Sequence, residues 1–210
     1  MKSVIISLLC LIFLVQSPSA SASADEKVLN GLYDKLMSSC TELEYSYTTL
    51  VSGARISGSG LIYIQNRMWY MDGNGVRMWC DGNTLWTVDT ELKEALIDTV
   101  SESDGMDIMS NPAALFVNLH RLFKLSDTVG SADGKSIVYI LKPVSDTEIE
   151  YVNLGINKAD SSITSLDFAL EDGNDVKISV KSMKVMDAKD KVFFRPQFSF
   201  DSDWIVTDMR

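Results

Sequence analysis

A single histidine, His120, serves the whole 210-residue chain, and that scarcity closes off much chemistry at once. Serine, threonine and cysteine nucleophiles need a base beside them, most often histidine, and His120 stands next to Arg121 in a helix-like stretch with no G-x-S-x-G elbow anywhere. Cysteine is almost as rare: Cys10, Cys40 and Cys80 form no C-x-x-C pair and, with one histidine, no zinc spacing. Basic residues are outnumbered, 19 Lys and Arg against 29 Asp and Glu, for a net charge of −10. Such a chain repels phosphate backbones and anionic lipid surfaces, which excludes nucleic-acid binding. Gly58-Ser59-Gly60 precedes a strand pattern, not a helix, so it is no phosphate-cradling loop. The acidic clusters Asp172-Gly173-Asn174-Asp175 and Asp201-x-Asp203 lack the spacing of a calcium loop and read as turns. No catalytic residue, metal or cofactor is expected, and the chain reads as a binding protein, not an enzyme.

Long apolar runs are missing as well. The longest, residues 4–15, is about 12 residues against the ~20 that span a bilayer. With Lys2 before it and Ser17-Pro18 and Ala20-Ser21-Ala22-Ser23-Ala24 after it, this run has the three-part layout of a secretory signal. Residues 1–24 are therefore expected to be cleaved, leaving residues 25–210 as one domain with room for a substantial core. Outside the cytoplasm, Cys40 and Cys80 form either one disulfide or two buried thiols, and spacing alone leaves both open.

From Asp25 to Cys40, apolar residues recur at helical spacing at Val28, Leu29, Leu32, Tyr33, Leu36 and Met37. The period then turns strand-like. Runs at Tyr45–Val51, Gly60–Gln65, Met68–Met71, Val76–Cys80, Thr84–Val88 and Ala95–Val100 alternate with Gly-, Asn- and Asp-rich turns, as in an antiparallel meander. After a polar loop, Asn111-Pro112 opens a second helix that extends to Phe123, with Leu115, Phe116, Leu119, Leu122 and Phe123 on its apolar face. Strands resume at Ile137–Leu141, Ile149–Ile156, Ile163–Leu170 and Val176–Val185. The expected fold is mainly β with a few helices: one curled antiparallel sheet of roughly ten strands, with the helices packed across its concave side around an apolar cavity.

The early strands concentrate aromatics and methionines, Tyr63, Met68, Trp69, Tyr70, Met71, Met78, Trp79 and Trp86, side chains that suit an adaptable apolar surface. Three segments follow in a telling order. They are Gly58-Ser59-Gly60-Leu61-Ile62-Tyr63-Ile64-Gln65, then Met68-Trp69-Tyr70-Met71, then Cys80-Asp81-Gly82-Asn83-Thr84-Leu85-Trp86. In that order they resemble the periplasmic outer-membrane lipoprotein carriers, the LolA-like family. The leading helix, the Pro-started second helix and Phe198-Ser199-Phe200 extend the resemblance over nearly the whole mature chain.

The resemblance implies an open half-barrel lidded by helices, and a periplasmic chaperone whose cavity shields acyl chains. It would take acylated lipoproteins from an inner-membrane release complex and hand them to an outer-membrane acceptor, as a monomer and without catalysis. It also implies that Arg67, at the end of the glycine-led strand, latches the lid, although the proline that usually follows is missing here, as is the proline-glycine after the Phe-x-Phe. Strand alternation gives two faces without saying which is inside. Leu61, Tyr63, Met68, Tyr70, Met78 and Trp86 are taken as the cavity wall, with Leu115, Phe116, Leu119 and Phe123 as the lid. A lipid-sensing or regulatory module of the same fold, or a hydrolase using carboxylates, are the competing readings.

Overall fold

The structure, a computed structural model, describes residues 23–51, 53–100, 119–131, 134–145, 147–171, 173 and 175–210. Ser23 opens the first helix, α1 (Ala24–Ser38), through a capping box: its Oγ accepts from the Glu26 N–H, and the Glu26 carboxylate accepts from the Ser23 N–H. This reciprocal pair satisfies two of the backbone donors a helix start leaves free. Ser23 and Ala24, which the sequence reading places in the leader, thus cap and begin this helix.

Strand β1 (Cys40–Val51) follows at once, then β2 (Ala54–Gln65), β3 (Met68–Gly73), β4 (Val76–Cys80), β5 (Thr84–Asp89) and β6 (Glu94–Thr99), each antiparallel to the one before. A second meander comprises β7 (Phe123–Gly130), β8 (Ser136–Pro143), β9 (Ile149–Asn157), β10 (Ile163–Leu170) and β11 (Asp175–Met186). Strand β11 returns to lie beside β1, and β12 (Ile205–Asp208) adds to β6 in parallel. All twelve form one sheet, ordered β12-β6-β5-β4-β3-β2-β1-β11-β10-β9-β8-β7, which curls without closing. The expected open half-barrel is therefore present, with two strands more than the sequence pattern resolves.

One of these, β7, corrects the second helix. Its described part covers residues 119–122, and Phe123 is already the first residue of β7, buried opposite Pro143. Strand β7 is polar and carries a bulge between Leu125 and Asp127, so its side-chain alternation changes phase midway and leaves little period-2 signal. Leu119 is buried, whereas Leu115 and Phe116 lie outside the described residues.

Helix α1 crosses one face of the sheet. At its start, Asp25 accepts from Thr128 Oγ1 on β7 (3.1 Å) and Tyr139 Oη on β8 (3.5 Å); at its end, the Leu36 carbonyl accepts from Asn66 N–H in the β2–β3 turn (3.1 Å). Five strand spacings separate β8 from β2, about 24 Å if flat, and a 15-residue helix is ~22 Å long. The helix is thus long enough to bridge the curled sheet. Its Leu29, Leu32 and Leu36 enter one continuous core with Leu43, Ile62, Ile64, Trp69, Leu141, Val152, Leu154, Leu166 and Phe168. We call this the inner face.

The two thiols sit on different faces. Cys80 joins the inner core, pairs with Trp69, and burial pushes its thiol up to about 11. Cys40 alternates with inner-facing Thr41 on β1, three strands away, roughly 14 Å. That exceeds disulfide reach, and both are free, buried thiols.

The glycine-led strand has a steric reason. A Cβ at Gly60 would lie 2.7 Å from the Asp72 carbonyl oxygen and 2.8 Å from Tyr45 Oη, because the Tyr45 ring lies across the cross-strand position. Gly60→Val is therefore expected to cost about 2 kcal/mol or more, since one of the clashing atoms is backbone. Thermal unfolding would show it as a lowered midpoint.

Candidate functional site: two faces of the early strands

Register assigns every residue of β2–β5 to a face. Ile62 pairs with Met71 and Met71 with Met78; Ile64 pairs with Trp69, Trp69 with Cys80, and Cys80 with Leu85. Side chains of paired residues share a face, and these two rows belong to the inner core. Tyr63 pairs with Tyr70, Tyr70 with Trp79, and Trp79 with Trp86, a row that runs along the opposite, outer face.

The expected cavity wall is thus split. Met78 faces inward, whereas Leu61, Tyr63, Met68, Tyr70 and Trp86 stand in rows of opposite phase on the outer face. In Leu61–Ile64 of β2 and Met68–Met71 of β3 both faces are apolar, so alternation alone has no way to choose between them, and the phase expected to face inward there faces outward. The residues that alternation misses are their immediate neighbours Met71 and Leu85. With Val100 they are half-buried apolar groups packed against the core at β3–β6, the half of the sheet that α1 does not span. Trp69, Met78, Ile62 and Ile64 lie buried beside them. On the α1 side, Tyr33 stands 5.3 Å ring to ring from His120, which is exposed, and burial pushes the Tyr33 phenol up to about 12.

The outer aromatics have a different purpose: they seat the C-terminal segment. A 3-10 turn, Lys191–Phe194, drops Phe193 edge-on against Tyr63 (5.1 Å between centroids) and Tyr70 (5.9 Å) and buries Phe194 completely. Farther on, Phe198 meets Trp79 at 6.0 Å and packs with Phe200 and Trp204. Edge-to-face pairs of this kind add about 0.5–1.5 kcal/mol each beyond burial. Two polar ties fasten the strap. Gln65 exchanges a pair of hydrogen bonds with the Lys189 backbone, donating at 3.0 Å and accepting at 2.7 Å. Asp81 accepts from Arg195 Nε at 2.7 Å and from its Nη2, with Lys191 Nζ 3.7 Å away.

Asp81 belongs to the Asp81-Gly82-Asn83-Thr84-Leu85-Trp86 hairpin, and its carboxylate, 3% exposed, also accepts from the Asn83 and Thr84 N–H groups. Gly82 follows at φ +93°, in the region open to glycine. Burial works to raise the Asp81 pKa, but the Thr84 N–H, Arg195 and the Asn83 N–H outweigh it and hold the carboxyl below its usual range. The motif's aspartate thus shapes the turn and anchors the strap with one carboxylate. Phe198 and Phe200 of the Phe-x-Phe serve that same strap.

Arg67 lies exposed in the β2–β3 turn, beside the α1 C-terminus at Asn66 and within 3.8 Å of a Cβ built on Gly82. It makes no ion pair among the described residues, and most of the lid segment that it was expected to hold lies outside them.

No described helix is long and apolar enough to cross a membrane. No curated protein sequence matches the chain. Among solved structures, an uncharacterised conserved protein from Thermus thermophilus is similar over 89% of this chain and 99% of its own, with a TM-score of 0.55 at 13% identity, and so shares the fold. A putative outer membrane lipoprotein-sorting protein domain from Vibrio parahaemolyticus aligns with 82% of this chain and 97% of its own (TM-score 0.46, 8% identity). A LolA superfamily protein from Nitrosomonas europaea aligns with 83% and 99% (TM-score 0.45, 14% identity). The sequence family described as outer membrane lipoprotein carrier protein LolA matches residues 64–197, more than half of the chain and all of the span from the end of β2 through the Arg195 anchor. The chain belongs to the LolA family.

Proposed function

We propose that this protein is a periplasmic, non-catalytic carrier. It holds the acyl chains of a lipoprotein against the inner face of β3–β6, and it moves them from an inner-membrane release complex to an outer-membrane acceptor. The observation that carries this reading is the group of half-buried apolar residues Met71, Leu85 and Val100, packed against the core yet outside the span of α1. Each methylene moved from water onto such a surface gains ~0.8 kcal/mol. The thioethers of Met71 and Met78 adapt to chains of varied shape. Buried Leu119, in the described part of the second helix, belongs to the cover over the chains, and Arg67 at the rim holds that cover in place. Met71, Met78 and Leu85 take the place of the wall that alternation alone suggests.

Site-specific photo-crosslinking in cells tests this directly. A benzoylphenylalanine at Leu85 is expected to capture an acylated polypeptide, and the same group at outer-facing Ser59 is expected to capture none. Capture from Ser59 alone, or of free lipid alone from Leu85, would remove the carrier reading.

A further inference from the structure

The sheet ends on a strand that is poorly defended. Strand β12 is guarded only by its four-residue length and by Asp208, with no lysine, proline or bulge along its free edge. All four of its residues are exposed, Ile205 at 64% and Val206 at 43%, and Met209 beyond it and Leu92 at the tip of the β5–β6 turn reach 58% and 66%. Ile205 N–H donates to the Lys93 carbonyl (2.9 Å) and Met209 N–H to that of Ile97 (2.8 Å). By strand alternation, Val206 and Asp208 turn their N–H and C=O groups away from the sheet.

Net charge around this edge is negative. Lys93 is paired with Asp203 and Arg210 with Asp208, whereas Asp89, Glu91, Glu94 and Asp201 have no cation among the described residues. Two of these, Asp89 and Glu94, line a hollow of about 350 Å³ beside the edge, at the outer end of the inner face, with Val76, Leu96, Ile205 and Thr207 among its other walls. Apolar sides and two carboxylates suit the stem and head of a lysine or arginine.

We propose that β12 is a docking edge for an extended, cationic segment of a partner protein. That segment adds a thirteenth strand through Val206 and Asp208 and places a lysine or arginine in the Asp89–Glu94 hollow. Main-chain pairing supplies the binding surface and the acidic hollow selects the partner's charge. Acidity of this rim argues against an anionic lipid surface as the occupant.

The test uses the mature protein and two synthetic peptides, acetyl-Lys-Val-Lys-Ile-Thr-Val-Lys-Val-amide and its counterpart with every lysine replaced by glutamate. Binding is read by fluorescence anisotropy, and amide hydrogen exchange is followed at residues 205–209. The lysine peptide is expected to bind at least tenfold tighter than the glutamate peptide and to slow exchange at Val206 and Asp208. Val206→Pro, which removes an outward N–H, and Glu94→Lys, which cancels the negative charge of the hollow, are each expected to weaken binding at least tenfold. Equal binding of the two peptides, or binding unaffected by both substitutions, would overturn the proposal. So would slow exchange at Val206 and Asp208 before peptide is added: dependence on protein concentration would identify a second copy as the occupant, and independence would identify another part of this chain.

Discussion

Met71→Glu is expected to weaken binding of a fluorescent long-chain fatty acid by about thirtyfold, about 2 kcal/mol, while Tyr70→Phe leaves it unchanged. The two positions are adjacent in β3 and differ only in face: Met71 sits between Ile62 and Met78 on the inner side, Tyr70 between Tyr63 and Trp79 on the outer. A carboxylate at 71 must shed its hydration against an acyl chain, and no described cation lies in that row to compensate it. Titration of the two variants against wild type, with circular dichroism to establish that both fold, checks the prediction. Equal loss in both variants would mean that the inner face is not what binds.

The second large effect concerns the strap. Asp81→Ala removes the acceptor of the Asn83 and Thr84 N–H groups and of the Arg195 guanidinium together, at an expected cost of about 2–3 kcal/mol. For a domain of this length that lowers Tm by roughly 5–10 °C. Because the carboxyl is held below its usual range in the fold, its contribution is complete above the unfolded pKa of about 3.9 and is lost as pH falls through the lower, folded value. Wild type should therefore lose stability below about pH 4, and the Asp81→Ala protein should lose less over that interval. Urea unfolding at a series of pH values measures both, and tryptophan emission reports release of the strap from Trp79 and Trp86.

That strap explains why the sequence reveals the strands but not the site. Where a sheet faces water on one side, alternation names the buried face without ambiguity. Here Leu61-Ile62-Tyr63-Ile64 and Met68-Trp69-Tyr70-Met71 are apolar on both sides, because α1 and the core lie against one and Phe193, Phe194 and Phe198 against the other. The partner that makes the outer face apolar is about 120 residues further along the chain, beyond the reach of any local pattern. Strand order within each meander, by contrast, follows from turn chemistry such as Asp72-Gly73-Asn74-Gly75 and Asp81-Gly82-Asn83, and was legible. The helix boundary at Leu122 was not, since Phe123 continues the apolar spacing of the helix even as it enters β7. One residue did carry an unread signal. An aspartate that opens a hairpin and is followed by aromatic strands has no local cation, and the downstream Lys191 and Arg195, flanking Phe193-Phe194, are its partners.

In the proposed function, the inner face of the early strands carries lipoprotein acyl chains. Native mass spectrometry of the protein isolated from an envelope fraction, beside the Met71→Glu variant, tests it most directly. Wild type is expected to carry a bound acylated polypeptide, in a mass shift that exceeds any free lipid, and the folded variant is expected to lack it. An empty wild type, or equal loading of the two, would contradict it.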